Sequence, residues 1–125
     1  MGGAEHDTAG WPWPAELDGP MAAPEQHRVI FENDRVRVLE TTIRVGEIAP
    51  LHTHRAPTVM YVISGSHFIR RDETGATMLD TRSIVPPFTM PQAMWSDFTP
   101  AHTLENTGDD DLVVIGVELK DQGSA

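Results

Sequence analysis

From His27 onward, apolar and polar positions alternate in short runs that end at turn residues. Residues 28–32 stop at Asn33-Asp34, and Val36, Val38 and Glu40 then alternate with Arg37, Leu39 and Thr41 ahead of Gly46. Residues 58–63 are β-branched and aromatic and close at Ser64-Gly65. Residues 67–71 lead into the turn Asp72-Glu73-Thr74-Gly75. Shorter strands are predicted around Met78-Leu79, over 83–85 and over 94–98, and a last one over 112–119 follows the polar stretch 106–111. Many short strands with regularly spaced turn signals predict an all-β sandwich or barrel. No window sustains an i, i+3, i+4, i+7 apolar pattern, so helix is a minor component.

The length of 125 residues suits one domain and not two independent cores. Composition divides it at about residue 24. Residues 1–24 hold four Pro, four Gly, four acids and no Lys or Arg, so they read as an extended or disordered arm. Trp11 and Trp13 within it argue that part of the arm packs into a groove, on this subunit or a neighbour. Residues 25–125 then form the barrel. The formal charge of −10 makes nucleic acid and anionic bilayers poor partners. There is no cysteine, hence no disulfide or thiolate chemistry. The N-terminal residues lack the basic and apolar regions of a secretory signal, and no apolar run approaches a membrane span. The expectation is a soluble cytoplasmic protein. EF-hand, Walker, GxGxxG and GxSxG motifs are missing from the sequence.

The candidate chemistry lies in the histidines. His52 and His54 stand two residues apart, so on a strand they share a face and can chelate one divalent ion. Alone, the pair reads more readily as two surface groups in a polar loop. A third candidate, His102, lies far downstream, in Pro100-Ala-His-Thr-Leu-Glu-Asn106. His6 and His27 fall outside these segments and are read as surface groups. His67, opposite in parity to Phe68, is expected to face solvent.

Gly46-x5-His52-x-His54, followed by the strand end Tyr61-Val-Ile-Ser-Gly65, resembles the first motif of the cupin family. His102-x3-Asn106, followed by Gly108 and an apolar final strand, resembles its second. The two cover residues 46–65 and 94–120. The first is fairly specific and the second degenerate. The resemblance implies a single-domain double-stranded β-helix, or jelly-roll, barrel with a divalent metal (Fe, Zn, Ni or Mn) on His52, His54 and His102. The family's usual glutamate ligand would fall at Thr58, a poor ligand, and the Pro-x-Gly of the second motif is replaced by Asp97-Phe-Thr99.

Three neutral imidazoles leave an ion its full charge and open positions, which suits Fe(II) oxygen chemistry or Zn(II) with a bound water. Some three-histidine cupins are iron dioxygenases acting on thiols or diketones. The resemblance therefore implies an oxidoreductase acting on a small organic acid or dicarbonyl. The alternative is a non-redox small-molecule-binding or isomerase-like cupin. Strand parity places Thr58, Met60, Phe68, Arg70 and Asn106 as pocket residues. Arg70 is either a carboxylate clamp or one of two exposed hairpin arginines, and Asn106 either faces inward or makes an Asx turn before Gly108. Met94 and Trp95 are expected to close the barrel mouth. A homodimer that buries sheet edges completes the expectation.

Overall fold

The structure, a computed structural model, describes residues 11–87 and 89–120. His6 lies outside the described residues. Nine strands run in chain order as β1 (His27–Glu32), β2 (Val36–Ile43), β3 (Ile48–His54), β4 (Thr58–Ser64), β5 (Phe68–Asp72), β6 (Thr77–Asp80), β7 (Gln92–Ser96), β8 (Thr99–Asn106) and β9 (Leu112–Leu119). They form two antiparallel sheets, one ordered β1-β2-β9-β4-β7 and the other β3-β8-β5-β6.

The period-2 alternation sets the two faces. Leu39 and Ile43 of β2, Val62 of β4, Phe68 of β5, Leu104 of β8 and Leu112 of β9 point between the sheets and are buried. The opposite parity of the five-stranded sheet faces out. There Phe31, Val38, Val117, Val59 and Trp95 are cross-strand neighbours in one row that crosses all five strands. Trp95 is thus on the outer face and exposed, and does not close a mouth. Met94, of opposite parity, lines the interior.

Two local expectations are corrected. Residues 83–85 are not a strand. Asp80 accepts a hydrogen bond from the Arg82 amide and starts a 3-10 turn over Thr81–Ser83, and Pro86-Pro87 just beyond offer no N–H to a ladder. The arm is not extended over its described part either. It makes a 3-10 turn, Ala15–Leu17, and one helical turn, α1 (Gly19–Ala22), and Ala23 is wholly buried. Asp18 anchors it by a parallel bridge to Thr53 and by two hydrogen bonds from Arg37, both 2.9 Å. Trp11 packs edge-on against Trp13 and Phe98 under the Arg55 guanidinium, and Trp13 donates to Glu73. Gly65 ends β4 at φ +140°, and a Cβ there would lie 2.8 Å from Leu112 Cδ1, so that turn requires glycine.

Candidate metal centre

His52 and His54 leave β3 on the face that looks into the barrel, and His52 sits directly across from His102 on β8. The register slips on either side of His52, so simple alternation does not govern this strand, yet the two side chains stay together. Ring centroids are 4.9 Å apart for His52–His54, 4.3 Å for His52–His102 and 5.8 Å for His54–His102. A fourth imidazole joins them. His27, the first residue of β1, lies 4.6 Å from His52 and 5.1 Å from His54 by ring centroids and is buried, not exposed. The ligand atoms of His27, His52 and His54 all fall within 4.8 Å of one another, and His102 attaches to this group through His52. At metal–nitrogen distances of about 2.1 Å, imidazole rings around one ion have centroids roughly 4.5–5.2 Å apart. The three spacings among His27, His52 and His54 fall in that range, so this group could hold a metal ion, whereas the two from His102 fall just outside it.

The tautomers are set from outside. Nδ1 of His52 lies 2.7 Å from the Pro50 carbonyl, Nδ1 of His102 2.7 Å from the Pro100 carbonyl, and Nδ1 of His27 3.1 Å from the Ala23 carbonyl. A carbonyl only accepts, so each Nδ1 carries the proton and each Nε2 keeps its lone pair. Nδ1 of His54 faces Glu118 Oε2 at 3.5 Å. That separation is at the outer edge of hydrogen bonding, and Oε2 has no other partner although it is buried.

Charge states favour ligation too. Burial, reinforced by the neighbouring His54, lowers the pKa of His27 from 6.5 to about 4. Burial and the Arg70 guanidinium lower His102 to about 3, and burial with His102 and His54 drives His52 lower still. These rings are neutral at pH 7. Burial alone would raise Glu118, but His54 and Arg37 outweigh it and hold the carboxyl below its ordinary value.

Glu118 answers the missing glutamate. Thr58 is buried, and its hydroxyl donates to the Ala56 carbonyl. Directly across from it on β9 stands Glu118, and directly across from Glu118 on β2 stands Arg37, which donates to Glu118 Oε1 at 2.7 Å. The carboxylate is thus present one strand away, behind His54, in a chain Asp18–Arg37–Glu118–His54 that ties the arm to the cluster. Gly19 of α1 passes over the same imidazoles. A Cβ at that position would lie 2.8 Å from His54 Cε1.

Two adjoining cavities open beside the histidines. The first, about 50 Å³, includes Thr58, Met60, Ser96 and Glu118. The second, about 80 Å³, is bounded by all four histidines and by Met60, Phe68, Met94 and Arg70. Of the expected pocket residues, Thr58, Met60, Phe68 and Arg70 line these spaces. Asn106 lines neither. Its amide donates to the Ile43 and Asp110 carbonyls while its oxygen accepts from the Gly108 amide, so its chemistry is spent on the β8–β9 turn. His67 is half-buried, with Nδ1 3.0 Å from the Thr81 hydroxyl. His27, Glu118, Arg37 and Gly19 were missed from sequence. The only available signal for His27 was its place at the start of a strand.

No family model and no curated protein sequence matches the chain. Solved structures do. A cupin domain from Bordetella pertussis Tohama I superposes with a TM-score of 0.61 at 20% identity over 76% of this chain and 92% of that one. An RmlC-like cupin family protein with a double-stranded β-helix fold from Methanocaldococcus jannaschii gives 0.54 at 13% identity, covering 74% and 77%. The polyketide cyclase RemF from Streptomyces resistomycificus gives 0.51 at 19% identity, covering 76% of this chain and 64% of that one. Among the described residues, no helix is long and apolar enough to cross a membrane.

Proposed function

We propose that this chain, whose fold is the cupin double-stranded β-helix, binds one divalent ion through His52, His54 and His102 with His27 as a further ligand. With that ion it acts on a small organic acid or dicarbonyl as a dioxygenase-type oxidoreductase. One observation carries the reading: four buried or half-buried imidazoles lie together, and three of them have Nδ1 against a backbone carbonyl, which leaves their Nε2 lone pairs uncommitted. All-nitrogen donors suit Fe, Zn, Ni or Mn ions, of which only the redox-active ones support oxygen chemistry. The cavities match a small ligand and exclude a polymer, and the charge of −10 speaks against nucleic acid.

A second reading, non-redox cyclisation or isomerisation at a closed-shell ion, is favoured by the likeness to a cyclase and by neutral donors that suit Zn(II). Metal analysis of protein purified without added metal, followed by oxygen uptake against small acids and diketones, separates the two. Stoichiometric iron with substrate-dependent uptake supports the first, and zinc without uptake supports the second. Unchanged metal content in His52→Ala would overturn both. The apolar outer row Phe31, Val38, Val117, Val59 and Trp95 supports a homodimer that covers this face.

A further inference from the structure

Arg70 lies in the middle of β5, paired with Leu104 on β8 and Leu79 on β6, with its side chain on the interior face beside Phe68. Its neighbours on the surface have hydrogen-bond partners. Arg71 donates to Glu105 at 2.8 Å, and Arg82 donates to the Thr107 hydroxyl and carbonyl. Arg70 has no such partner among the described residues. Its Nε is sealed from solvent with no hydrogen bond, and the half-buried residue lines the histidine cavity. No Asp or Glu lines that cavity, whose other walls include Ile43, Val62, Leu104 and Val114. Burial, unopposed by any acid, lowers the guanidinium pKa from its ordinary value.

A buried guanidinium without a counter-charge costs stability, and a protein retains one where something else supplies the anion. Its planar fork of N–H donors matches a carboxylate better than any point charge would. Neutral histidines add nothing to offset it, and a divalent ion on them increases the deficit. We propose that Arg70 is the anion anchor of this cavity, and that its ligand is a small organic carboxylate seated between the guanidinium and the histidine cluster. This rests on the metal-binding reading only for what meets the ligand's other end. The cavity of about 80 Å³ limits that ligand to a few heavy atoms beyond its carboxylate.

The test uses the full chain loaded with zinc, its metal content measured, and calorimetric titration with pyruvate, its neutral analogue pyruvamide, and inorganic phosphate. The wild type should bind pyruvate in preference to pyruvamide and phosphate. Arg70→Met should weaken pyruvate at least tenfold, leave pyruvamide and zinc content unchanged, and keep or raise the ligand-free melting temperature. Arg70→Gln should show the same loss, which keeps the test open if the Met variant folds poorly. A wild type blind to pyruvate, or one that prefers phosphate, overturns the proposal. So do variants that lose both pyruvate and pyruvamide, or a Met and a Gln variant that both melt well below the wild type, since Arg70 would then serve the fold. Arg70-dependent pyruvate binding in protein that takes no metal would support the anchor and sink the metal reading. Bound zinc with Arg70-independent pyruvate binding would do the reverse.

Discussion

Metal-free protein should lose stability steeply as pH falls from 6.5 to about 4. In the unfolded chain the histidines titrate near 6.5, whereas in the fold His27 titrates near 4 and His102 near 3. Between those values the unfolded state binds protons that the folded state refuses, so stability rises with pH across the window and is lost on acidification. For His27 the loss by pH 4 is about 3 kcal/mol, at about 1.4 kcal/mol for each pH step between its unfolded and folded titrations. His102 has by then lost a similar amount, about 3 kcal/mol, because only part of the gap between its two titrations has been crossed. Together these rival the whole stability of an ordinary domain, roughly 5–15 kcal/mol. Glu118 adds to the loss only at the acid end of this window, where the unfolded carboxyl begins to bind protons while His54 and Arg37 hold the folded one below its ordinary value. The assay is urea unfolding followed by tryptophan fluorescence, in chelator, at steps from pH 7.5 to 4.5. His27→Gln should remove about a third of the pH dependence, because burial holds His52 as well as His102 below the ordinary value. Added zinc should move the acid transition to lower pH, because proton and ion compete for the same nitrogens. A flat stability profile over the window, or identical slopes in wild type and His27→Gln, would refute the reasoning.

Two further outcomes follow from close contacts and from the outer face. Gly19→Ala should weaken zinc about tenfold in chelator competition, about 1.4 kcal/mol, because the new methyl would lie 2.8 Å from His54 Cε1. Helix propensity alone predicts a gain in stability there, so unchanged or tighter zinc binding would show that α1 yields without disturbing the ring. Val59→Lys puts a charge at the centre of the outer apolar row and should convert a dimer to a monomer by light scattering. A wild type already monomeric at micromolar concentration would remove the dimer.

The sequence carried the strands well where alternation was clean, as in 36–43, 58–64 and 112–119, because a half-buried strand writes its two faces at period two. It failed over 83–85, where β-branched residues sit between a capped turn and two prolines that forbid pairing. His52 and His54 were legible as a local pair. His102 was visible only through a resemblance, since its partner lies fifty residues earlier in the chain. His27 was illegible because nothing local distinguishes it from a surface residue. It becomes interior when α1 folds back and Ala23 accepts from its ring. Glu118 was hidden for a topological reason. Its place opposite Thr58 exists only because β9 inserts between β2 and β4, a pairing that neither segment encodes alone. Arg70 could be placed inward by its parity with Phe68, but the missing counter-charge needed three dimensions.

The separation of charge in this molecule has a kinetic side. The chain as a whole carries −10, while the larger cavity beside the histidines is lined by a guanidinium and no acid, Glu118 lying in the smaller one. Within about 10 Å at 0.1 M salt, the exterior field enriches divalent cations near the surface and thins out organic anions. Salt should therefore slow loading of the ion and speed arrival of a carboxylate, opposite effects from one field. An ion in the cluster would add two positive charges where the proposed anion enters, so on the metal-binding reading a carboxylate should bind faster to the loaded protein than to the metal-free one.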